Sequence, residues 1–319
     1  MAVYTKVDDQ TLNAFLANYD VGEAVSFKGI AEGVENSNYL LETTKSRYIL
    51  TLYEKRANPE ELPYFLNLME HLEANGIPSP LPIRDKTGKA LQKLAGKPAC
   101  LISFLSGVSV DYPTEMQCAA LGAMLAEMHK AGQSFTESRA NDLSLDGWKS
   151  LAKKTQNRAD EVAPGLASEI TQEIASLSEN WPQGLPSGTI HADLFPDNVL
   201  FTGNSITGVI DFYFGCTDML AYDLAVCINA WCFDQDHNFM PAHAKRLVEM
   251  YDAHRPISAA EITALPLLCR GAAMRFLLTR LYDWLNPVEG AVVTPKNPLD
   301  YLKRLKFHQQ IKDAAQYVV

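Results

Sequence analysis

The stretch that most constrains this chain is His191-Ala192-Asp193-Leu194-Phe195-Pro196-Asp197-Asn198, together with the fifteen or so residues after it. An apolar run, Val199-Leu200-Phe201, leads into a turn at Thr202-Gly203-Asn204; a second run, Ile206 to Ile210, ends in Asp211-Phe212-Tyr213. Two short apolar runs around a Gly-containing turn predict a β-hairpin. A hairpin brings the chain back to where it started, so Asp193 and Asn198 before it and Asp211 after it are expected to meet. Amide and carboxylate oxygens are what a hard divalent cation binds. A polar turn before an edge hairpin, with Asp197-Asn198 as turn formers, is the plain alternative.

The order His-x-Asp-x-x-x-x-Asn, strand, turn, strand, Asp-Phe resembles the catalytic and metal-binding loops of the protein-kinase-like phosphotransferases. Phosphoryl transfer needs a carboxylate that orients the attacking hydroxyl and divalent metal against the phosphates. On this resemblance Asp193 is the first group, Asn198 and Asp211 hold magnesium, and His191 braces the catalytic loop.

Composition narrows the remaining classes. The chain has 319 residues, enough for one or two domains. A formal net charge of -10 disfavours a nucleic-acid or anionic-membrane binder and suits a small-molecule enzyme. The six cysteines form no Cys-x-x-Cys pair and sit mostly in apolar contexts, as reduced buried thiols do in the cytosol. Met1 to Gln10 lacks an apolar signal core, and no uncharged apolar stretch approaches a membrane span. The expectation is a cytoplasmic protein.

The N-terminal third reads as strand-rich. Thr11–Asn18 reads as a short helix, with strands at Val25–Lys28, Asn38–Glu42 and Arg47–Tyr53. Between the first two strands, the segment from Gly29 through Gly33 to Ser37 is a Gly-bearing turn able to lie over phosphates. An ordinary hairpin loop would account for it equally. Kinase-like folds carry a phosphate-binding lysine on the third strand; here the matching position is Thr51. Lys55, Arg56 and Arg47 are the nearby cations. Asn58-Pro59 is expected to cap and open a helix with Leu62, Phe65, Leu66, Met69 and Leu72 buried, ending at Asn75-Gly76. Glu61, near its start, either pairs with a third-strand cation or serves the helix dipole. Strands near Ala90–Leu94 and Ala99–Phe104, joined by a Gly96-Lys97-Pro98 turn, precede a break at Phe104–Gly107.

After that break the pattern is helical. Thr114–Lys130 is amphipathic, and His129 among its core positions is expected to be a satisfied structural histidine. Glu161–Trp181 is expected to be another helix. Asp223 reads as a buried carboxylate tying down the metal-binding loop. Leu265–Leu285 carries Arg270, Arg275 and Arg280, whose spacing of five turns each by about 140°, so they do not share a face. Arg275 or Arg280 is the candidate to grip a substrate carboxylate bidentately. Pro298–Val319 reads as a final helix.

Taken together, the chain resembles the aminoglycoside-phosphotransferase-like branch of the kinase fold. The resemblance implies an α+β, protein-kinase-like two-lobe fold. A small antiparallel-sheet lobe with one long helix spans residues 1–104, and a larger, mainly helical lobe spans 105–319. The hinge, about 104–108, would meet adenine through Phe104 and Leu105. Glu35-Asn36-Ser37-Asn38-Tyr39, Arg47 to Glu54, Asp211-Phe212-Tyr213-Phe214 and Arg270 to Trp284 are similar to the bacterial homoserine kinases of this branch, which also carry threonine in place of the strand lysine. That similarity implies ATP and Mg2+ as cofactors and L-homoserine as acceptor, with Gly29, Gly33 and Ser37 at the phosphates, in a monomer or homodimer. Aminoglycoside, choline or methylthioribose kinases of the same branch are the nearest rivals, and a non-catalytic nucleotide-binding module is the more distant one.

Overall fold

The computed structural model describes residues 5–30, 36–54, 58–287 and 295–318, and the chain divides into two units. The first runs through Ser106 and takes in Gly208–Ile210; the second holds most of the rest from Gly107 on.

The first unit begins with α1 (Asp9–Leu16), capped by the Asp8 carboxylate accepting from the Thr11 N–H. Strands β1 (Ala24–Gly29), β2 (Asn36–Thr43) and β3 (Arg47–Tyr53) come next, then α2 (Leu62–Ala74), β4 (Leu91–Leu94) and β5 (Lys97–Ser103). The sheet is antiparallel throughout, in the order β1-β2-β3-β5-β4. Strand side chains alternate between faces. Leu41, Leu50, Leu52, Ala99 and Leu101 therefore build one core with Leu12, Phe15 and Leu16 of α1. Ile49, Thr51 and Tyr53 point the other way.

Two expectations change here. α2 opens at Leu62 and not at Asn58-Pro59. A helix starting at Pro59 would need an N–H on Pro63 to reach the Pro59 carbonyl, and proline has none. Pro63 instead falls in the first turn, where no such bond is missed. Asn58 makes only a turn, accepting the Glu60 N–H through its side chain at 3.2 Å. The predicted apolar face of α2 is buried in full. The β4–β5 turn is Ala95-Gly96, with φ of 49° and 78°. Positive φ at both positions marks a type I′ two-residue hairpin turn, and Lys97 and Pro98 pair in the strand.

After Ser106 the chain forms α3 (Glu115–Gly132), α4 (Leu145–Thr155), α5 (Leu166–Asn180), β6 (Ser187–Ile190), β7 (Val199–Thr202), β8 (Ser205–Val209) and β9 (Cys216–Met219). It continues with α6 (Leu220–Trp231), α7 (Pro241–His254), α8 (Ala259–Leu285), α9 (Leu299–Gln310) and α10 (Ala315–Val318). Strand β6 pairs with β9, and β7 with β8. α3 starts at a Thr114/Gln117 capping box and α8 at a Ser258/Glu261 one. α3 and α7 approach closely at Gly122, where an added Cβ would stand 2.1 Å from the Leu247 carbonyl oxygen. α6 is buried nearly all round. α8 is long and apolar enough to cross a membrane by composition alone, but 61% of its apolar window is buried inside the protein, as in a core helix.

The helix expected over Glu161–Trp181 starts only at Leu166, after Gly165 in a left-handed conformation. The expected final helix is two: Ile311 is extended, and the Asp313 carboxylate accepts the Ala315 N–H to start α10. α4 adds a helix that the sequence pattern does not announce; its buried anchor is Trp148, whose indole N–H donates to the Leu143 carbonyl.

Candidate active site

The loop from His191 to Asn198 leaves β6 and enters β7, and four of its backbone groups are held by side chains of α6 and α8. Asp223, in the first turn of α6 and wholly buried, accepts the His191 N–H and the Ala192 N–H, each at 2.8 Å. Ala192 sits in the left-handed region, φ 64°, which a Cβ disfavours. Its N–H is held by Asp223 and its carbonyl by the Arg275 guanidinium from α8. The Leu194 carbonyl accepts the Trp231 indole N–H at 2.8 Å. These bonds fix the loop in a shape that its local sequence would not choose.

His191 bridges two loops. Its Nδ1 accepts the Asp193 N–H at 3.2 Å, and its ring packs on Phe212 at 4.8 Å, joining the catalytic loop to the Asp211 turn. His129 is a satisfied core histidine, with Nδ1 2.7 Å from the Tyr251 hydroxyl and Nε2 3.1 Å from Asp223. Burial alone would push the Asp223 carboxyl up. The hydrogen bond and charge of His129 and the proximity of His191 instead hold it below the usual carboxylate range. Asp223 is therefore the anionic anchor of the loop.

Asp193 stands partly exposed at the loop's centre, with one carboxylate oxygen 3.6 Å from Arg275 Nη2. Asn198 donates its amide to the Asp193 carbonyl at 2.8 Å and to the Asp193 carboxylate at 3.4 Å. With the nitrogen so engaged, the amide oxygen is what Asn198 presents to a cation. Asp211, at the other end of the β7–β8 hairpin, is itself left-handed (φ 66°, ψ 58°) and starts a single helical turn, Phe212–Phe214. Among the described residues no group of three or more His, Cys, Asp or Glu side chains is arranged to hold a metal alone. One amide and one carboxylate nevertheless fit Mg2+, which takes one or two protein carboxylates and completes its shell with phosphates and water.

In the first unit, Gly29 ends β1 opposite Tyr39. Gly33 lies outside the described residues, as do Lys55 and Arg56. Ser37 is fully buried, donating to Glu54 at 2.8 Å and accepting the Thr5 N–H at 3.1 Å. Its hydroxyl is thus an anchor for the start of β2, not a group facing a ligand. Thr51 is also buried and donates to Asn38 Oδ1 at 2.8 Å. Arg47 stacks on the Phe104 ring at 4.3 Å, and the Phe104 N–H donates to the Arg47 carbonyl at 3.3 Å. Leu105 lines a shallow pocket with Ile77, Pro78 and Leu81. Glu61 is the N-cap of α2 and accepts from the Asn58 amide at 3.2 Å. Sequence reasoning missed the Lys97–Glu54 ion pair, 3.0 Å, because Lys97 begins β5 while Glu54 lies just past β3, far away in sequence.

The three arginines of α8 diverge as their spacing requires. Arg270 forks onto Glu173, Arg275 is buried at the catalytic loop, and Arg280 pairs with Asp300. At 1% exposure Arg275 has no surface left to offer a substrate, so its place is in the loop's frame.

An antiparallel-sheet unit, a helical unit and this loop define a protein-kinase-like phosphotransferase. The family model of the phosphotransferase enzyme family (APH) matches residues 26–257, and the chain belongs to that family. It is 56% identical over 317 residues to the homoserine kinase of Xanthobacter autotrophicus, covering 99% of each chain. It is 55% identical over 317 residues, with the same coverage, to that of Methylobacterium radiotolerans. Among solved structures, the amicoumacin kinase hAmiN in complex with AMP-PNP, Ca2+ and Ami superposes with a TM-score of 0.71 at 15% identity, over 95% of this chain and 94% of that one. This last likeness is one of fold.

Proposed function

We propose that this chain phosphorylates the primary hydroxyl of L-homoserine with ATP, giving ADP and O-phospho-L-homoserine. The observation that carries it is the identity of more than half the residues with homoserine kinases over essentially full length. The acceptor oxygen attacks the γ-phosphorus, the bond to the β,γ-bridging oxygen breaks, and ADP leaves. Asp193 orients the hydroxyl and receives its proton. Its support is its position, held by His191, Asn198 and Arg275. Asn198 and Asp211 would hold magnesium, which when bound neutralises phosphate charge. Gly29 would lie against the phosphates. Ser37 and Thr51 anchor β2 through Glu54, Thr5 and Asn38. The enzyme works in the cytoplasm.

ADP release across an acceptor panel tests this: L-homoserine, L-serine, L-threonine, choline, methylthioribose and kanamycin, each with ATP and magnesium. Release with L-homoserine alone is expected; preference for another acceptor refutes the substrate. Asp193→Asn should lower kcat by about a thousandfold or more while ATP binding persists. Retention of more than a few per cent of turnover would remove Asp193 from its role.

A further inference from the structure

A zwitterionic acceptor needs a cation for its carboxylate and an anion for its ammonium. We propose that Arg280 and Asp300, with His237, form the acceptor-recognition site, Arg280 taking the carboxylate and Asp300 the ammonium. This rests on the homoserine reaction above and deepens it.

Among the three α8 arginines, only Arg280 keeps a face to offer. Arg270 is already forked onto a carboxylate, and Arg275 is buried on Ala192 and Asp193. Arg280 makes both of its hydrogen bonds through Nη1, to Asp300 Oδ2 at 3.2 Å and to the Asn297 carbonyl at 3.3 Å. Its Nε–Nη2 edge, suited to bidentate carboxylate recognition, has no partner among the described residues. Asp300 turns its other oxygen to His237 Nε2 at 3.0 Å. The three side chains are 15%, 26% and 15% exposed, half-sheltered from water and still reachable.

Their position ties them to the chemistry. The Arg280 guanidinium lies 4.6 Å from the centre of the Tyr301 ring. Tyr301 packs against Phe195, two residues past Asp193. On the same segment, Lys296 reaches Asp197 of the catalytic loop at 3.4 Å. His237 is held in a left-handed conformation, φ 66°, by a turn closed on the Asp234 carbonyl. Its Nδ1 is buried with no hydrogen-bond partner among the described residues. Strained, incompletely paired polar groups gather where a ligand completes them. The Arg280–Asp300 pair is a preformed dipole that a zwitterion can bridge, exchanging one ion pair for two.

The test measures KM for L-homoserine and for ATP in the full-length enzyme. Inhibition constants are measured for two fragments competing with L-homoserine: 4-hydroxybutyrate, which lacks the amine, and 3-amino-1-propanol, which lacks the carboxylate. Arg280→Met should raise the L-homoserine KM roughly ten- to a hundredfold and weaken 4-hydroxybutyrate alone. Asp300→Asn should raise the same KM and weaken 3-amino-1-propanol alone. The ATP KM should move by less than about threefold in both. A general loss of structure cannot produce this crossover. Should Arg280→Met fail to fold, Arg280→Lys keeps stem and charge but loses the fork, and an unchanged L-homoserine KM in it overturns the assignment. So does equal weakening of both fragments in each variant. A parent enzyme that phosphorylates another acceptor but not L-homoserine overturns the reaction itself, a separate result.

Discussion

Replacing Asp223 by asparagine exchanges one carboxylate oxygen for an NH2 group and should loosen the whole catalytic loop. In the parent, one carboxylate oxygen accepts the Ala192 N–H, and the other accepts the His191 N–H and faces His129 Nε2. An amide has only one acceptor oxygen. Whichever way it is turned, its NH2 faces a backbone N–H of the loop at hydrogen-bond distance, and that N–H has no water to turn to. An orphaned buried donor costs about 1–3 kcal/mol, and losing the charge on the bond that remains costs roughly another 1 kcal/mol. The expected loss is about 2–4 kcal/mol, or roughly 5–10 °C in Tm. Because Ala192 is held in its strained conformation from this side, kcat should also fall roughly ten- to a hundredfold, while the ATP KM changes little. Asp223 titrates below its ordinary value in the folded chain, so its contribution is complete above about pH 4 and is lost only as the pH falls through the folded pKa. The carboxylate's own titration therefore adds no pH dependence to the Tm difference above about pH 5. A variant within about 1 °C of the parent and within twofold in kcat would refute the reasoning.

Two further outcomes concern the core of the second unit. Gly122→Ala drives a methyl into the Leu247 carbonyl, 2.1 Å away, and should cost about 1–3 kcal/mol despite the gain in helix propensity; equal or higher stability in urea denaturation would mean that α3 and α7 separate at little cost. Burial, with the charge of Arg304 nearby, lowers the His308 pKa to about 3. The unfolded chain takes the proton first, so this contribution is full above the ordinary value of 6.5 and declines as the pH falls towards 3, by about 2 kcal/mol at pH 5. His308→Gln should remove that much of the stability difference between pH 7 and pH 5; an unaltered difference would place the acid sensitivity elsewhere.

What could be read from the sequence, and what could not, divides by distance along the chain. The strand Arg47–Tyr53, the apolar face of α2 and the Thr114/Gln117 cap are decided within a few residues, by alternation, periodicity and capping chemistry. The catalytic spacing is local too, which is why Asp193, Asn198 and Asp211 can be named without any knowledge of the fold. Asp223 is legible as a buried carboxylate because it stands close after that hairpin, although it holds His191 and Ala192 and not, as expected, the metal-binding loop. Arg275 is legible as a charged residue but not as a part of the loop: its bond to the Ala192 carbonyl spans 83 residues, and no window of sequence contains both ends. The Arg280–Asp300–His237 group joins three segments for the same reason. Pro63 is the converse lesson, a purely local signal masked by the more familiar Asn-Pro pair ahead of it. The loop itself shows why distance matters for function. Ala192 has no intrinsic preference for a left-handed conformation, and nothing adjacent to it supplies one. An anion on α6 takes its N–H and a cation on α8 takes its carbonyl, so the conformation that sets Asp193 in place belongs to the fold and not to the motif. A motif transplanted without those two helices should keep its letters and lose its geometry.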